Sequence, residues 1–350
     1  MSKRYNIIMS PFIRLLPLAA LFLSAIQQGN AQRPFPVPPP PREVKISAIP
    51  GVIDAGAKWT LVWQGDQNAD GIVGYKGGIL FAQEQSNHVM RLDKDGKVSI
   101  FLSANGPGAV AIGPPMERII VVERSCTDPG GEPDLCKAPQ AIVALTPGPP
   151  PTHVVLANGY NGKVFEGRLN DLVADKKGGV YFTNGPAPGT GAFYVSAKAF
   201  ESTIGENLRT NGIMLSKDEK TLYITNLSSI MALDVQKDGT AMNQREFAKL
   251  DGGVNGDGMA IDGAGRLYVS TNPGVQVFSP EGKFLGLIPT PRNSISVAFS
   301  GPGKKTLYAA CLGALGPDGQ EITTRPGIRN TAMTIYKIQM LAEGFTGRAK

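Results

Sequence analysis

The chain has 350 residues, a formal net charge of +6, 18% charged side chains, 43 glycines and 28 prolines. So much Gly and Pro favours many short strands joined by turns over a fold of long helices. Lysine and arginine are scattered, with no basic run interleaved with aromatics, which argues against a nucleic-acid partner, and two histidines are too few for a His-rich zinc centre.

Residues 1–31 read as a signal peptide. Lys3, Arg4 and Arg14 carry positive charge, an apolar run extends from Leu15 to Ile26, and the small residues Gly29-Asn30-Ala31 precede Gln32. The run is too short to span a bilayer, so cleavage, a secreted or periplasmic location and no membrane insertion of the mature chain are expected. Residues 32–43 contain Arg33-Pro34-Phe35-Pro36-Val37-Pro38-Pro39-Pro40-Pro41-Arg42. They read as an extended polyproline tether outside the fold, which is expected over 44–350.

After residue 50 one pattern repeats: an apolar strand, a turn with Gly or Asp, then a second strand rich in aromatic and β-branched residues. Six such pairs occur, from Gly78–Ala82 with His88–Leu92 to Thr306–Ala310 with Met333–Ile338. Each is preceded by an apolar stretch, led in turn by Asp70, Gly108, Asn170, Asn211, Asp257 and Ser296, at intervals of 38, 62, 41, 46 and 39 residues. A period of roughly 40–50 residues is one propeller blade, so an all-β, six-bladed β-propeller is predicted. A strand over Val44–Ile49 is expected to complete the last blade. The long interval holds an insertion with Cys126 and Cys136, which in an oxidising compartment are expected to form a disulfide. Its acidic stretch Asp128–Asp134 is read as a solvated loop, with calcium binding as the other reading, and Cys311 as a small core residue.

Asn211-Gly212 and Asp257-Gly258 are also ordinary turn dipeptides, like Asp95-Gly96, Asp238-Gly239 and Asp262-Gly263. The latter three fall between strands, where a hairpin turn is wanted. Asn170, Asn211 and Asp257 instead open inner strands after long connections, which would place their oxygens on one rim of the central channel. Amide and carboxylate oxygens grouped there suit a hard cation such as calcium or magnesium.

Three stretches, Arg168-Leu169-Asn170-Asp171 with Gly179-Val180-Tyr181-Phe182-Thr183, Asn211-Gly212-Ile213-Met214-Leu215, and Gly256-Asp257-Gly258-Met259-Ala260-Ile261-Asp262-Gly263, resemble the gluconolactonase, regucalcin (senescence marker protein) and luciferin-regenerating-enzyme family. The resemblance spans about residues 60–340 and implies a six-bladed propeller. It also implies a divalent metal, usually calcium and in some members zinc, magnesium or manganese. The implied ligands are Asp70, Asn211 and Asp257, with Asn170 as a further candidate, and the implied substrate-binding residues are Arg168 and Asn170. The family has Glu followed by Gly-Pro where this chain has Asp70-Gly71-Ile72, a carboxylate one methylene shorter.

Such a site would hydrolyse a lactone or related ester. The cation would polarise the carbonyl, Asp257 would be both ligand and general base, and Arg168 would orient the small-molecule substrate. A rim ion pair, for instance with Asp171, is the other reading of Arg168. A Ser-His-Asp hydrolase is disfavoured, since no Gly-x-Ser-x-Gly elbow occurs. The alternative function is a non-catalytic propeller that binds a small ligand or protein around a structural metal. A monomer or dimer is expected.

Overall fold

The computed structural model describes residues 39–114, 118–125, 139–165, 167–185, 191–323 and 330–348. Among them are six four-stranded antiparallel sheets and one small hairpin, Gly159–Tyr160 with Lys163–Val164. Blade I runs Asp70–Tyr75, Gly78–Gln83, His88–Leu92, Val98–Ser103, from the channel outward. The inner strands of blades II to VI are Pro107–Gly113, Leu169–Ala174, Thr210–Leu215, Gly256–Ile261 and Ser294–Ser300. Each inner strand packs against the next, and the sixth against the first, so the six-bladed β-propeller closes on itself.

The inner strands and their first neighbours are buried over nearly their whole length because blades cover them on both faces. Adjacent blades interlock through residues such as Tyr268 of blade V, whose ring meets Phe299 of blade VI edge-on at 4.9 Å. Such a pair adds about 0.5–1.5 kcal/mol beyond the area it buries. The outermost strands carry a weaker pattern. In Thr152–Ala157 of blade II, for example, Val154 and Val155 are both exposed. This is why the repeat shows three strands per blade in the sequence and four in the structure.

Closure comes from Thr60–Gly65, which pairs antiparallel with Met333–Gln339 of blade VI, and not from Val44–Ile49 as expected. Ile46 and Ile49 are three apart, so a strand would point them to opposite faces. Instead both are buried beside Val275 and Ile288, and the chain bends back at the Ile49–Ile53 bridge. The described end of the Pro-rich stretch is also part of the fold. Arg42 donates from its backbone N to Pro291 O at 2.8 Å and from Nε to Thr290 O at 2.8 Å, and Pro39 O accepts from Arg292 Nη1 at 3.2 Å. The signal segment 1–31, the Cys126–Cys136 pairing and the Asp128–Asp134 loop lie outside the described residues. Cys311 is a free, fully buried thiol, as expected of a core residue, and burial pushes its pKa up to about 12.

Candidate active site

All six inner strands carry an extra residue near their start. From Asp70 to Val73 the strand takes three steps while its partner takes two, Ala82 to Leu80. The same offset occurs at Leu169–Leu172, Thr210–Ile213 and Gly256–Met259, with shorter irregularities at Pro107–Ala109 and Ser294–Ser296. A bulge bends the strand and re-aims a side chain that regular pleating would send elsewhere. Asp70, Asn170, Asn211 and Asp257 all sit on these bulges, at one rim of the channel.

Threonine hydroxyls pin the bulges from blade to blade. Thr183 Oγ1 accepts from Asp171 N at 3.0 Å and donates to Asn211 O of the next blade at 2.5 Å. Thr225 Oγ1 accepts from Gly212 N at 2.6 Å and reaches Asp257 O at 3.4 Å. Asp171 is buried and accepts from Ile213 N at 3.1 Å, a further tie between blades III and IV. Gly212 is not a turn residue. A Cβ there would lie 2.2 Å from Asp257 O, so only glycine lets the two site-bearing strands approach. Gly212→Ala is therefore expected to destabilise the protein by about 1–3 kcal/mol, the usual cost of overpacking, and to displace Asp257. Chemical denaturation checks the first effect and turnover the second.

At the same rim the sequence reading missed two residues, Glu84 and Arg124. Each directly follows the strand beside an inner strand. That neighbour runs antiparallel, so it ends at the rim where the inner strand begins. Gly108, second in the blade II inner strand, has no side chain, and Arg124 fills the space: a Cβ on Gly108 would lie 2.0 Å from its Nε. The guanidinium is almost wholly buried. It donates from Nη1 to Asp70 Oδ2 at 3.0 Å and Glu84 Oε2 at 3.2 Å, from Nε to Leu169 O at 2.8 Å, and from Nη2 to Asn170 Oδ1 at 2.9 Å. Burial works against its charge, but Asp70 and Glu84 outweigh burial and raise its pKa. Glu84 Oε2 also accepts from Arg168 Nη2 at 3.0 Å. The sequence carries only a local signal, a charge two places past an apolar run, as in Phe81-Ala82-Gln83-Glu84 and Val121-Val122-Glu123-Arg124.

The predicted residues thus meet in two groups. Arg168, Asn170 and Asp70 are joined through Arg124 and Glu84, and a small cavity beside Asp70 is lined by Arg168, Asn68, Ile295, Leu312 and Met333. Asn211 and Asp257 stand on neighbouring inner strands. Asn211 Oδ1 is buried and has no hydrogen-bond partner among the described residues. Burial, then the carboxylates of Asp70 and Asp171, push the Asp257 carboxyl up to about 8, against the opposite pull of Arg124 and the Gly258 N–H. An orphaned amide oxygen beside a carboxyl crowded by other carboxylates is a site short of positive charge, and hard oxygen donors fit a divalent cation. Asn170 Oδ1 accepts from Arg124, as Asp70 Oδ2 does, so both of these candidate ligands share an oxygen with that guanidinium. Among the described residues no group of three or more His, Cys, Asp or Glu is arranged to hold a metal, so the fit rests on two carboxylates and an amide.

The model of the SMP-30/gluconolactonase/LRE-like region matches residues 141–312. A gluconolactonase of Zymomonas mobilis is 29% identical over 340 residues, covering 84% of this chain and 91% of that protein. Among solved structures, a gluconolactonase of Xanthomonas campestris superposes with a TM-score of 0.64 at 19% identity, over 88% of this chain and 97% of that one. A calcium-binding regucalcin of Agrobacterium tumefaciens superposes at 0.63 and 12% identity, over 83% and 95%. At such identities the two structures speak for the fold alone.

Proposed function

From the similarity of this chain to the SMP-30/gluconolactonase/LRE-like family, we propose that it is a lactone hydrolase whose active site is the bulged rim of the channel. The observation that carries this is the meeting on one rim of hydrogen-bond donors on Arg168 and Asn170 of blade III with undercompensated oxygens on Asn211 and Asp257 of the next two blades. A divalent cation held by Asp70, Asn211 and Asp257, calcium in first place, would supply Lewis acidity at the lactone carbonyl.

The chain's own groups perform the rest. Arg168 and Asn170 Nδ2 donate to substrate oxygens and orient the ring. Asp257 accepts a proton from the attacking water as its oxygen bonds to the carbonyl carbon. The ring C–O bond then breaks, and the leaving alkoxide takes that proton from Asp257 to give a hydroxy acid. The test is proton release from a panel of lactones, with and without chelator. Turnover that chelator abolishes and calcium restores supports the proposal; ligand binding without turnover of any lactone would leave a non-catalytic propeller.

The raised Asp257 pKa predicts a pH effect on the metal-free protein. Its folded value of about 8 lies above the ordinary 3.8, so the folded state holds that proton more tightly. The resulting stability is present in acid and is lost as pH rises through about 8. In chelator, Tm is expected to fall between pH 5 and 8.5, and added calcium to restore it most at the alkaline end. Asp257→Asn should flatten this component; an unchanged slope in that variant would assign the effect elsewhere. We also propose export with cleavage before Gln32, which the mass of the protein recovered outside the cytoplasm tests.

A further inference from the structure

We infer that Arg124 is a positioning residue of the lactone site, holding the Asn170 amide with its Nδ2 turned to the substrate. This rests on the lactone-hydrolase proposal and adds a residue that family resemblance does not bring to the site. A guanidinium has donors only, so the Asn170 atom 2.9 Å from Arg124 Nη2 must be the amide oxygen. The amide nitrogen then faces the other way, and among the described residues Nδ2 has no acceptor. The same Nη2 reaches Asn170 O at 3.2 Å, and Nε holds Leu169 O, so the bulge backbone is clamped along with the side chain. Without the clamp an amide rotates freely and presents oxygen as readily as nitrogen. A substrate carbonyl or ring oxygen would then meet an acceptor half of the time.

Arg124 is itself held. Asp70 and Glu84 take Nη1, and Gly108 leaves the room its side chain occupies. Glu84 Oε2 is shared with Arg168, so the two donors proposed to touch substrate, the Arg168 fork and Asn170 Nδ2, are set by one buried network. This makes the donor side of the rim rigid before substrate arrives, which is what orientation catalysis requires. It also defines the substrate face it accepts: oxygen acceptors without protons to give.

The test is a double-mutant cycle on the full-length protein, with lactone hydrolysis followed by proton release. Arg124→Lys keeps the charge and loses the fork. Arg124→Lys and Asn170→Ala are each expected to lower kcat/KM roughly tenfold, the size of one hydrogen bond to an otherwise unpaired group, with the same division between KM and kcat. The double variant is expected to be no worse than the poorer single one. Losses that multiply to roughly a hundredfold would overturn the inference. Asn170→Asp covers the case in which Arg124→Lys does not fold. It retains the acceptor that Arg124 grips and removes the outward donor, so it should lose at least as much activity as Asn170→Ala; wild-type turnover by Asn170→Asp would overturn the inference. If the wild type cleaves no lactone, the functional proposal fails by itself. The inference is then decided by the Asn170 amide in a crystal structure of Arg124→Lys, where a rotated amide supports it and an unmoved one overturns it.

Discussion

Asp257→Asn is expected to lower kcat/KM on a lactone by roughly a hundred- to ten-thousandfold, the range that a positioned general base contributes. The substitution keeps the size and one coordinating oxygen but cannot take a proton from water. It also removes a charge crowded by Asp70 and Asp171, so the metal-free variant should be more stable than the wild type above pH 8. Loss of activity together with gain of metal-free stability is a pair of outcomes that unfolding does not produce. Retained turnover would take Asp257 out of the mechanism and leave the rim with no other base proposed for it.

Glu84→Ala is the second large effect. Glu84 is fully buried and its Oε2 accepts from both Arg124 and Arg168. Truncation leaves the buried Arg124 charge with Asp70 as its remaining carboxylate partner among these contacts. Breaking a buried pair from one side typically costs about 3–5 kcal/mol, and the surviving Asp70 contact points to the lower end. Urea denaturation should show that loss, and turnover should fall as well because Arg168 loses its anchor. Glu84→Gln keeps the shared acceptor oxygen but loses the charge and should fall between. A Glu84→Ala protein as stable as the wild type would mean that water or a neighbouring group replaces the carboxylate without cost.

The two parts of the site were legible to different degrees. Asp70, Asn170, Asn211 and Asp257 stand out because the repeat length marks them: each opens an inner strand, and the glycines that follow three of them resist a turn explanation. Gly212 gives the physical reason, since its missing Cβ admits the Asp257 carbonyl. Glu84 and Arg124 carry no such mark. Each lies one step past a strand, and a strand end has no periodicity to betray which way its side chain points. Their value depends on an antiparallel neighbour bringing them to the rim, and on Gly108 vacating the space that Arg124 fills. The closing strand went astray for a similar reason. Val44–Ile49 and Thr60–Gly65 are both short and apolar, and only pairing with Met333–Gln339 separates them.

The amino-acid pattern alone established an all-β ring of six repeats and the rim residues that recur with it, because blade length and strand alternation are local properties of the chain. The tertiary structure decided which group faces which: Arg124 against Asn170 and Asp70, Glu84 between two arginines, Asp257 among carboxylates. Those contacts join residues from 40 to 84 positions apart and more. Their orientation follows from bulges, a vacated glycine position and burial, which exist only once the blades have closed.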